Sequence, residues 1–443
     1  MRLFCFLSMK QMNNKNNDTI FAPSTAIGGA IAVIRISGPR TKDIISELTK
    51  KKLSPNVMSY TLIKYQDKIL DNGMMCYFQA PISYTGEDML EIHCHGGIQT
   101  IRSITDALIQ IGLRPAEGGE FTRRAFLNGK MDLTQAEAVM DLINAQAESS
   151  MRSALNQLNG GLSKQIQAIE SSLLDILSGI EAAIDYPDEV EDDVYADMPD
   201  LIQKLKTRIT ELIETGRSGR FLRDGIKVVI IGKPNVGKSS LFNALLGQKR
   251  AIVTSNAGTT RDILDEYISI NGIPVRLMDT AGLRKAEDEA ESIGINMAKD
   301  ALKYADLLLL VLDGSGPLTD EDMSLIDETA GLPRILISNK SDLGKLDSDI
   351  SISCLTKDGI NRLKEMIVLK VGAGNITTGL TNIRHIRALQ RAMESICHSE
   401  EQIDLDCKAT DLREALHEIG TITGNDVDDK LLDRVFENFC VGK

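Results

Sequence analysis

The pattern of apolar and polar positions changes along the chain, and each change marks a predicted domain boundary. The segment 18–130 mixes short apolar runs with one stretch of helical spacing, so we expect an α+β domain there. The Asn- and Lys-rich stretch 1–17 before it is expected to be a disordered extension. The predicted strands and helix of the α+β domain are, in order: 30–39, 75–78, 88–95 and 100–111.

Helical spacing dominates the segments 131–225 and 378–443, and the simplest architecture packs the two into one all-α bundle. Thr134–Glu137 has the pattern of a capping box at a helix start. The acidic run Asp188–Asp193 is expected to be a solvated loop. The predicted helices are 134–158, 162–184, 198–222, 382–402, 410–419 and 431–439.

Between the two helical segments, residues 226–377 alternate strand and helix patterns, as in a doubly wound α/β sheet. We expect this α/β domain to be inserted into the bundle at a helix–helix connection, because exposed connections tolerate insertions. Any motion of the inserted domain would then push directly on the helices around it.

Composition and charge narrow the functional classes. The 443 residues carry a net charge of −13, so a nucleic-acid contact must come from a local basic patch. The seven cysteines are scattered and never in C-x-x-C spacing, which argues against a disulfide framework or a zinc site and for a reducing, cytoplasmic location. The longest aliphatic run, Leu307–Leu312, is too short to span a membrane, and no membrane partner is expected.

The stretch Gly232–Ser239 has the pattern G-x-x-x-x-G-K-S between the apolar run Lys227–Ile231 and a predicted helix. Glycines let backbone N–H groups converge on an anion, and the helix adds its positive end. Lys238 can reach the outer phosphates, and the Ser239 hydroxyl can hold Mg²⁺. The strand–loop–helix context argues against a glycine-rich turn without a ligand. The expected nucleotide contacts here are Asn235, Val236, Gly237, Lys238, Ser239 and Ser240.

Further motifs follow in the order of a GTPase domain. Thr260, in Gly258–Asp262, can offer a second hydroxyl to Mg²⁺. In Asp279–Gly282, Asp279 can support the Mg²⁺ shell, and the Gly282 N–H can meet the γ-phosphate. The expected GTP contacts in this part of the chain are Thr254, Ser255, Asn256, Ala257, Gly258, Thr259, Thr260, Asp279, Thr280, Ala281 and Gly282.

The motif Asn339–Asp342 indicates guanine as the base. A carboxylate such as Asp342 only accepts hydrogen bonds, and guanine presents two adjacent donors, whereas adenine presents an acceptor there. Backbone N–H groups of the segment after the next short strand can meet the guanine oxygen. The expected contacts are Asn339, Lys340, Asp342, Ser353, Cys354 and Leu355.

The sequence leaves the hydrolytic step open. Leu283 stands where many small GTPases have a water-orienting glutamine, so another group must position water. Asn235 can be a ligand for a monovalent cation or simply a turn-stabilising residue, and the chemistry alone does not decide. Carboxylates follow downstream at Glu287, Asp288, Glu289 and Glu291.

Several polar residues in the α+β segment invite a functional interpretation. Arg35 interrupts an apolar strand, while Glu91, His93 and His95 share one strand face. That face suggests metal binding or, more simply, a solvated face, which we favour because no further ligands are apparent. The small basic cluster in Phe121–Lys130 is a candidate anion or RNA contact, or is only solvated.

At the level of whole motifs, the chain from about Asp18 onward resembles the tRNA modification GTPases of the MnmE (TrmE) type. The resemblance extends well beyond the GTPase motifs. In the C-terminal motif, Phe439–Lys443, Val441 replaces the more usual isoleucine. The motifs that carry it are Arg35–Gly38, Thr85–Asp88, Gly96–Gly97, Phe126–Lys130, Leu133–Ala138 and Phe439–Lys443.

The resemblance implies roles for particular residues. A tetrahydrofolate (5-formyl- or methylene-tetrahydrofolate) would bind in an N-terminal dimerising domain, at sites built at the interface of a homodimer. K⁺ would bind where the GTPase domains meet and supply the charge of an arginine finger. Glu291 would orient water, and the role of Cys440, a reacting thiol or a packed core residue, stays open. The implied ligands are Arg35, Glu91, Lys130 and Lys443 for folate, and Asn235, Thr254, Asn256 and Thr259 for K⁺.

The resemblance also implies a reaction and partners. With the FAD-dependent protein MnmG (GidA), in a heterotetramer, such proteins attach an aminomethyl or carboxymethylaminomethyl group at C5 of the wobble uridine of certain tRNAs. GTP hydrolysis drives conformational change rather than the carbon chemistry.

Two other functions remain as alternatives. A K⁺-dependent ribosome-assembly GTPase would share the phosphate-loop asparagine, but no KH-type module with its G-x-x-G loop is visible in the sequence. The other alternative is a folate-dependent group-transfer enzyme whose GTPase domain is only regulatory.

The expected domains can now be given functions. Residues 18–130 are expected to form the folate-binding and dimerisation domain, 131–225 and 378–443 the helical domain, and 226–377 the GTPase domain.

Overall fold

The computed structural model describes residues 18–247, 265–279, 305–373, 379–437 and 439–443. Within these ranges, 187–197, 217–218, 265 and 279 are described by their backbone only. The expected disordered extension, 1–17, lies outside the described residues. None of the helices that are described is both long and apolar enough to cross a membrane.

Strands and helices follow one another through the described ranges. The strands are β1 (Ile20–Pro23), β2 (Ile31–Ser37), β3 (Ser59–Tyr65), β4 (Lys68–Phe78), β5 (Met89–His95), β6 (Arg114–Pro115), β7 (Ile226–Ile231), β8 (Asp265–Ile270), β9 (Ile273–Asp279), β10 (Leu307–Asp313), β11 (Arg334–Asn339) and β12 (Ile350–Ser351). The helices are α1 (Thr41–Leu48), α2 (Ile98–Gln110), α3 (Glu120–Leu127), α4 (Leu133–Asn144), α5 (Glu148–Leu158), α6 (Gly161–Asp185), α7 (Pro187–Asp224), α8 (Lys238–Leu246), α9 (Asp320–Glu328), α10 (Ile360–Lys370), α11 (Ile383–Glu401), α12 (Leu405–Thr423) and α13 (Asp429–Phe436).

The first compact unit contains the residues up to Met140 together with Gly420–Lys443. Its sheet has the order β3-β4-β5-β2-β1-β6, and all its neighbours are antiparallel except the β1–β6 pair. Along β2 and β5, buried residues such as Ile34 and Ile92 alternate with less buried ones such as Arg35 and Glu91, so one face is buried under α1 and α2 and the other is half-exposed. This pattern produces the expected α+β domain.

Residues from the end of the sequence complete a second core in this unit. Leu432, Phe436 and Phe439 pack against Leu133 and Met140 of α4. The rings of Phe436 and Phe439 lie 5.0 Å apart between centroids. Residues 420–443 are therefore part of the same compact unit as the N-terminal sheet.

The second compact unit spans Asp141–Ile419 and contains an α/β sheet with the order β12-β11-β10-β7-β9-β8. Only the β8–β9 pair is antiparallel. The central strands β7 and β10 are buried on both faces, which explains their continuous apolar runs. The structure thus contains the expected α+β, helical and α/β parts, and the fold class is confirmed. The predicted domain boundaries differ from the division into units and stay a prediction.

Three local predictions were wrong. The single helix over 134–158 is divided into α4 and α5 by extended backbone at Ala147 (φ −141°, ψ 158°). At this break both the N–H and the hydroxyl of Ser149 donate to the carbonyl of Gly272, in the β8–β9 turn. A contact distant in sequence therefore outweighs the local helical pattern.

The acidic run Asp188–Asp193 is helical rather than a loop, because α7 begins at Pro187. Proline is preorganised for the first helical position, and negative charge is favoured in the first turns of a helix.

The capping box also lies two residues earlier than predicted. The Asp132 carboxylate accepts from the Gln135 N–H at 3.0 Å, and the Gln135 side-chain oxygen accepts from the Asp132 N–H at 3.0 Å.

Candidate functional site

The phosphate loop connects the carboxyl end of β7 to the first turn of α8, at the centre of the α/β sheet. Its curvature requires positive φ angles at Gly232 (146°), Asn235 (65°) and Gly237 (98°). A Cβ on Gly237 would lie 2.3 Å from the side-chain nitrogen of Asn339, so this glycine also permits a close contact. The local conformation of Asn235 supports a turn-stabilising role, since asparagine tolerates left-handed backbone.

Lys238 lies against the loop that precedes it. Its ammonium group donates to the carbonyl oxygens of Gly232 at 2.8 Å and Lys233 at 2.6 Å. Ser239 and Ser240 follow it in the first turn of α8, where both are exposed. Backbone N–H groups at a helix start, an ammonium group and exposed hydroxyls form an arrangement suited to a phosphate chain and its Mg²⁺ ion.

Asn339 joins the phosphate loop to the segments expected to recognise the base. Its side-chain nitrogen donates to the Val236 carbonyl at 2.8 Å, and its side-chain oxygen accepts from the Cys354 N–H at 3.3 Å. Asp342 accepts a hydrogen bond of 2.6 Å from the Ser353 hydroxyl. The structure therefore brings the phosphate loop, Asn339–Asp342 and the Ser353–Leu355 segment together.

Lys340 is fixed beside these residues by an ion pair with Asp313, at 2.6 Å. Burial opposes ionisation of Asp313, but the hydrogen bonds from Lys340 and Ser315 outweigh it and lower the pKa of this carboxyl to about 2. Asp313 is therefore ionised at neutral pH, and its contact helps to hold Lys340 in its left-handed conformation (φ 63°).

The remaining predicted nucleotide residues fall mostly beyond the described ranges. Asp279 ends β9 and is described by its backbone alone. The predicted residues that lie outside the described residues are Thr254, Ser255, Asn256, Ala257, Gly258, Thr259, Thr260, Thr280, Ala281, Gly282 and Glu291.

A second cluster of polar residues lies on the half-exposed face of the N-terminal sheet. Arg35 of β2 stands directly opposite Glu91 of β5. Its Nε and Nη2 atoms donate to Glu91 Oε1 at 3.1 and 3.0 Å, and the two side chains are 14% and 18% exposed. The guanidinium carbon lies 5.2 Å from the centroid of the Tyr84 ring and 5.6 Å from that of Phe121. An ion pair between two aromatic rings is suited to a flat, polar heterocycle.

The segment 439–443 closes one side of this cluster. The Gly442 carbonyl accepts from Arg35 at 3.4 Å and from the Ser24 hydroxyl at 3.0 Å. Val441 forms an isolated antiparallel β-bridge with Gly118, and the Gly119 N–H donates to the Cys440 carbonyl at 3.2 Å. Cys440 itself is exposed, so the alternative of a packed core residue does not describe its side chain in this chain. Lys443 follows directly after Gly442.

Lys130 reaches the same cluster through the loop that carries Tyr84. Its ammonium group donates to the Pro81 carbonyl at 3.0 Å, and Asn128 donates to the Thr85 carbonyl at 2.7 Å. Of the four predicted folate residues, the structure therefore brings Arg35 and Glu91 into direct contact and places Lys130 and Lys443 on the two segments that adjoin them.

No motif or spacing directly indicated Tyr84 or Phe121. The only signal for Tyr84 was its position next to the motif Thr85–Asp88, and Phe121 resembled an ordinary helical core residue. The Tyr84 hydroxyl lies 2.9 Å from that of Thr122, and burial raises its pKa, so the ring stays neutral.

The basic cluster in Phe121–Lys130 is for the most part not a free anion site. Arg124 is 2% exposed and donates to the carboxylates of Asp18, Glu87 and Glu120 at 2.6–3.3 Å. Arg123 pairs with Asp433 of α13 at 3.0 Å. The Arg124 guanidinium group is therefore used inside the fold, whereas Arg123 is paired at the surface.

The histidine face of β5 is divided between different partners. His93 lies 3.5 Å from Glu91, whereas His95 lies 2.8 Å from Asp71 of β4. Within the ranges that the structure describes, no three or more histidine, cysteine or acidic side chains form a group that could hold a metal ion.

Comparison with known proteins places nearly the whole chain in one family. The family model of the MnmE helical domain matches residues 133–440, and that of the GTP-binding protein TrmE N-terminus matches residues 19–130. The tRNA modification GTPase MnmE of Natranaerobius thermophilus is 40% identical over 457 residues, covering 96% of this chain and 99% of that protein. Its counterpart from Bacillus licheniformis is 42% identical over 460 residues (96% and 100%), and that from Bacillus subtilis 40% over 458 (96% and 100%).

Near-complete coverage at this identity, together with a phosphate loop, a guanine-recognition motif and a matched N-terminal domain, gives one conclusion. The chain belongs to the MnmE family of tRNA modification GTPases and is a GTP-hydrolysing enzyme.

Proposed function

We propose that this GTPase, together with the FAD-dependent protein MnmG (GidA), forms aminomethyl or carboxymethylaminomethyl groups at C5 of the wobble uridine of tRNA in the cytoplasm. The observation that supports it best is the Arg35–Glu91 pair between two aromatic rings, in a chain that also carries a complete phosphate loop. A GTPase with no carbon chemistry to support has no evident use for such a second site. Hydrolysis of GTP would drive the conformational change between steps of the modification.

In the nucleotide site, Lys238 would contact the outer phosphates, and the N–H groups of the loop would surround the phosphate chain. The Asp342 carboxylate, which the Ser353 hydroxyl holds in place, would accept hydrogen bonds from the two adjacent donors of guanine. Ser239, with Thr260, would hold a Mg²⁺ ion, which when bound neutralises charge on the phosphate oxygens. The exposed hydroxyl of Ser239 at a helix start fits this role.

In the N-terminal unit, Arg35 and Glu91 would bind the polar edge of a tetrahydrofolate (5-formyl- or methylene-tetrahydrofolate). Tyr84, which is only partly buried, would contact its rings, while the fully buried Phe121 would pack against the Arg35 guanidinium group. Lys130 and Lys443, on the adjoining segments, would bind its carboxylates. When bound, a methylene-tetrahydrofolate supplies the one-carbon unit, and the residues of this chain only bind and orient it.

A second copy of the chain would cover the same face of the sheet. Tyr60, Leu62 and Met74 are exposed on β3 and β4, although each is large and apolar. Their register places them on the face that carries Arg35 and Glu91, since Tyr60 pairs with Met74 and Met74 with His93. An exposed apolar surface that continues into the folate site supports a homodimer with folate bound at its interface. Replacing Met74 by glutamate should yield a monomer in sedimentation velocity, whereas an unchanged dimer would contradict this interface.

For hydrolysis we propose that Asn235, Thr254, Asn256 and Thr259 would hold a K⁺ ion, which when bound would supply positive charge for the transition state, and that Glu291 would orient water. Asn235→Gly tests this assignment well, because glycine accepts the left-handed backbone and removes only the amide. Hydrolysis should be much faster in K⁺ than in Na⁺ for the native protein, and Asn235→Gly should remove the difference. The matched control is Asn271→Gly, another left-handed asparagine of the same unit. Equal native rates in both salts would contradict the K⁺ role.

The tRNA assignment is tested by nucleoside mass spectrometry of total tRNA from a strain that lacks this gene. We expect the C5-modified wobble uridines to disappear and to return on complementation with the native gene but not with Asp279→Ala. Persistence of the modified uridines, with accumulation of ribosomal precursors, would favour a ribosome-assembly GTPase instead. Restoration by the Asp279→Ala gene would favour a folate enzyme whose GTPase domain is only regulatory.

A further inference from the structure

Lys233, the second residue of the phosphate loop, extends its side chain to the start of α9. Its ammonium group donates to the Thr319 hydroxyl at 2.5 Å and lies 2.7 Å from Asp322 Oδ2. We call this set of three residues, Lys233, Thr319 and Asp322, the Lys233 tether. The tether joins the phosphate loop to the start of a helix that follows β10.

The acidic end of the tether is more buried than an ordinary surface ion pair. The Asp322 side chain is 6% exposed and that of Lys233 18%. Asp322 Oδ2 also accepts from the Thr319 N–H at 3.0 Å and from the Thr319 hydroxyl at 2.9 Å, so it caps α9 as well. Burial opposes ionisation of Asp322, but the hydrogen bonds from Lys233 and Thr319 outweigh it and lower its pKa.

The backbone of Lys233 has a different task from its side chain. Its carbonyl oxygen accepts the 2.6 Å hydrogen bond from the Lys238 ammonium group. One residue thus holds α9 through its side chain and the phosphate-binding lysine through its backbone. The opposite end of the loop is fixed independently, by Asn339 at the Val236 carbonyl.

We propose that Lys233 is a positioning residue for GTP and GDP binding, which fixes the loop against α9 so that Lys238 points at the phosphates. This inference rests on the proposed nucleotide site. Without the tether the start of the loop would move, and part of the free energy of nucleotide binding would be spent on ordering it. Lys233→Met should therefore weaken the binding of fluorescent N-methylanthraniloyl-GDP to the full-length protein about tenfold. The KM for GTP should rise by a similar factor, with a smaller change in kcat.

Lys233→Met alone is ambiguous, because it leaves a buried carboxylate without its ammonium partner and should lower the melting temperature by about 5 °C. The double variant Lys233→Met/Asp322→Asn removes the uncompensated charge and keeps an acceptor for the Thr319 N–H. We expect its melting temperature to recover while its GDP affinity stays about tenfold weak. Lys233→Arg should bind GDP as the native protein does, since a guanidinium group can contact both Thr319 and Asp322.

The controls separate this inference from the nucleotide site itself. Lys345→Met removes one exposed positive charge from the same domain and should leave GDP affinity unchanged. Lys238→Ala should weaken it far more than the tether variants do. If Lys238→Ala has no effect, the proposed nucleotide site is wrong. If Lys238→Ala weakens binding but Lys233→Met or the double variant binds GDP like the native protein, the tether only stabilises α9 and the positioning role is overturned.

Discussion

The two proposed sites of this protein are built in opposite ways. The phosphate loop uses residues that are consecutive in sequence. Its shape depends on positive φ angles at Gly232, Asn235 and Gly237. The Arg35 cluster draws on β2, β5, the loop carrying Tyr84, α3 and the segment 439–443. The phosphate loop is therefore local, although the base-recognition residues that join it are not, whereas the Arg35 cluster exists only when distant parts of the chain have packed.

This difference determines how each site can fail. A local loop keeps its shape whenever its strand and helix form, so changes elsewhere should reach it only through anchors such as Asn339 and Lys233. A dispersed site depends on every segment that contributes to it. The predictions below separate the two kinds of site, beginning with the largest effect.

The largest effect is expected from Lys238→Ala, which removes the ammonium group from the phosphate loop. Hydrolysis of GTP should fall about a thousandfold, because a charged donor aimed at the phosphates is lost. Binding of 5-formyl-tetrahydrofolate, measured by calorimetry on the same preparation, should not change. A parallel loss of folate binding would show that the two sites are not independent.

The next largest effect is expected from Asp342→Asn, which should weaken GTP binding roughly a hundredfold, since an amide presents a donor to the donors of guanine. Xanthosine triphosphate has an acceptor at that edge and should bind the variant better than GTP does. Competition binding with both nucleotides measures the reversal. Unchanged preference for GTP would mean that Asp342 does not contact the base.

A smaller effect is expected at the dispersed site from Arg35→Ala. Folate affinity should fall about thirtyfold, because Glu91 loses its partner and the ligand loses a charged donor. Arg35→Lys should restore little of it, since an ammonium group cannot reproduce the planar donor set. Arg102→Ala, on the exposed face of α2, is the control and should bind folate normally. GTP hydrolysis at the same level in all three variants would support the independence of the sites.

The smallest effect is expected from deletion of residues 440–443. Arg35 and Ser24 would lose the Gly442 carbonyl, and Lys443 would be absent, so folate affinity should fall about fivefold while Lys238 and its loop are untouched. Equilibrium dialysis with labelled folate can resolve this difference. A loss as large as that of Arg35→Ala would instead mean that Lys443 and the Gly442 carbonyl contribute as much to folate binding as Arg35 does.

The contrast between the local loop and the dispersed cluster also explains which residues could be predicted from the sequence. The strand–loop–helix of Ile226–Leu246 is fixed by neighbouring residues, and its buried strand and following helix agree with the prediction. Arg35 was noticed because a charged residue interrupts an apolar strand. Its ring partners Tyr84 and Phe121 were missed, because nothing local distinguishes them from core residues.

The errors in secondary structure have a similar origin. The break between α4 and α5 depends on Ser149 bonding to Gly272, more than a hundred residues further along the chain. Asp322 looks like an ordinary acidic residue in the first turn of a helix, and only the packed structure brings Lys233 to it. Patterns within a short window cannot contain such contacts.

The placement of residues 439–443 has a consequence for the order in which the protein matures. Gly442 is 407 residues from Arg35, so a ribosome must translate nearly the whole sequence before the Arg35 cluster can close. Domains fold as they emerge, and the GTPase domain is therefore ready first. A chain that stopped between the GTPase domain and residue 439 would carry a complete phosphate loop but an Arg35 cluster without the Gly442 carbonyl, so the two sites are completed at different times during synthesis.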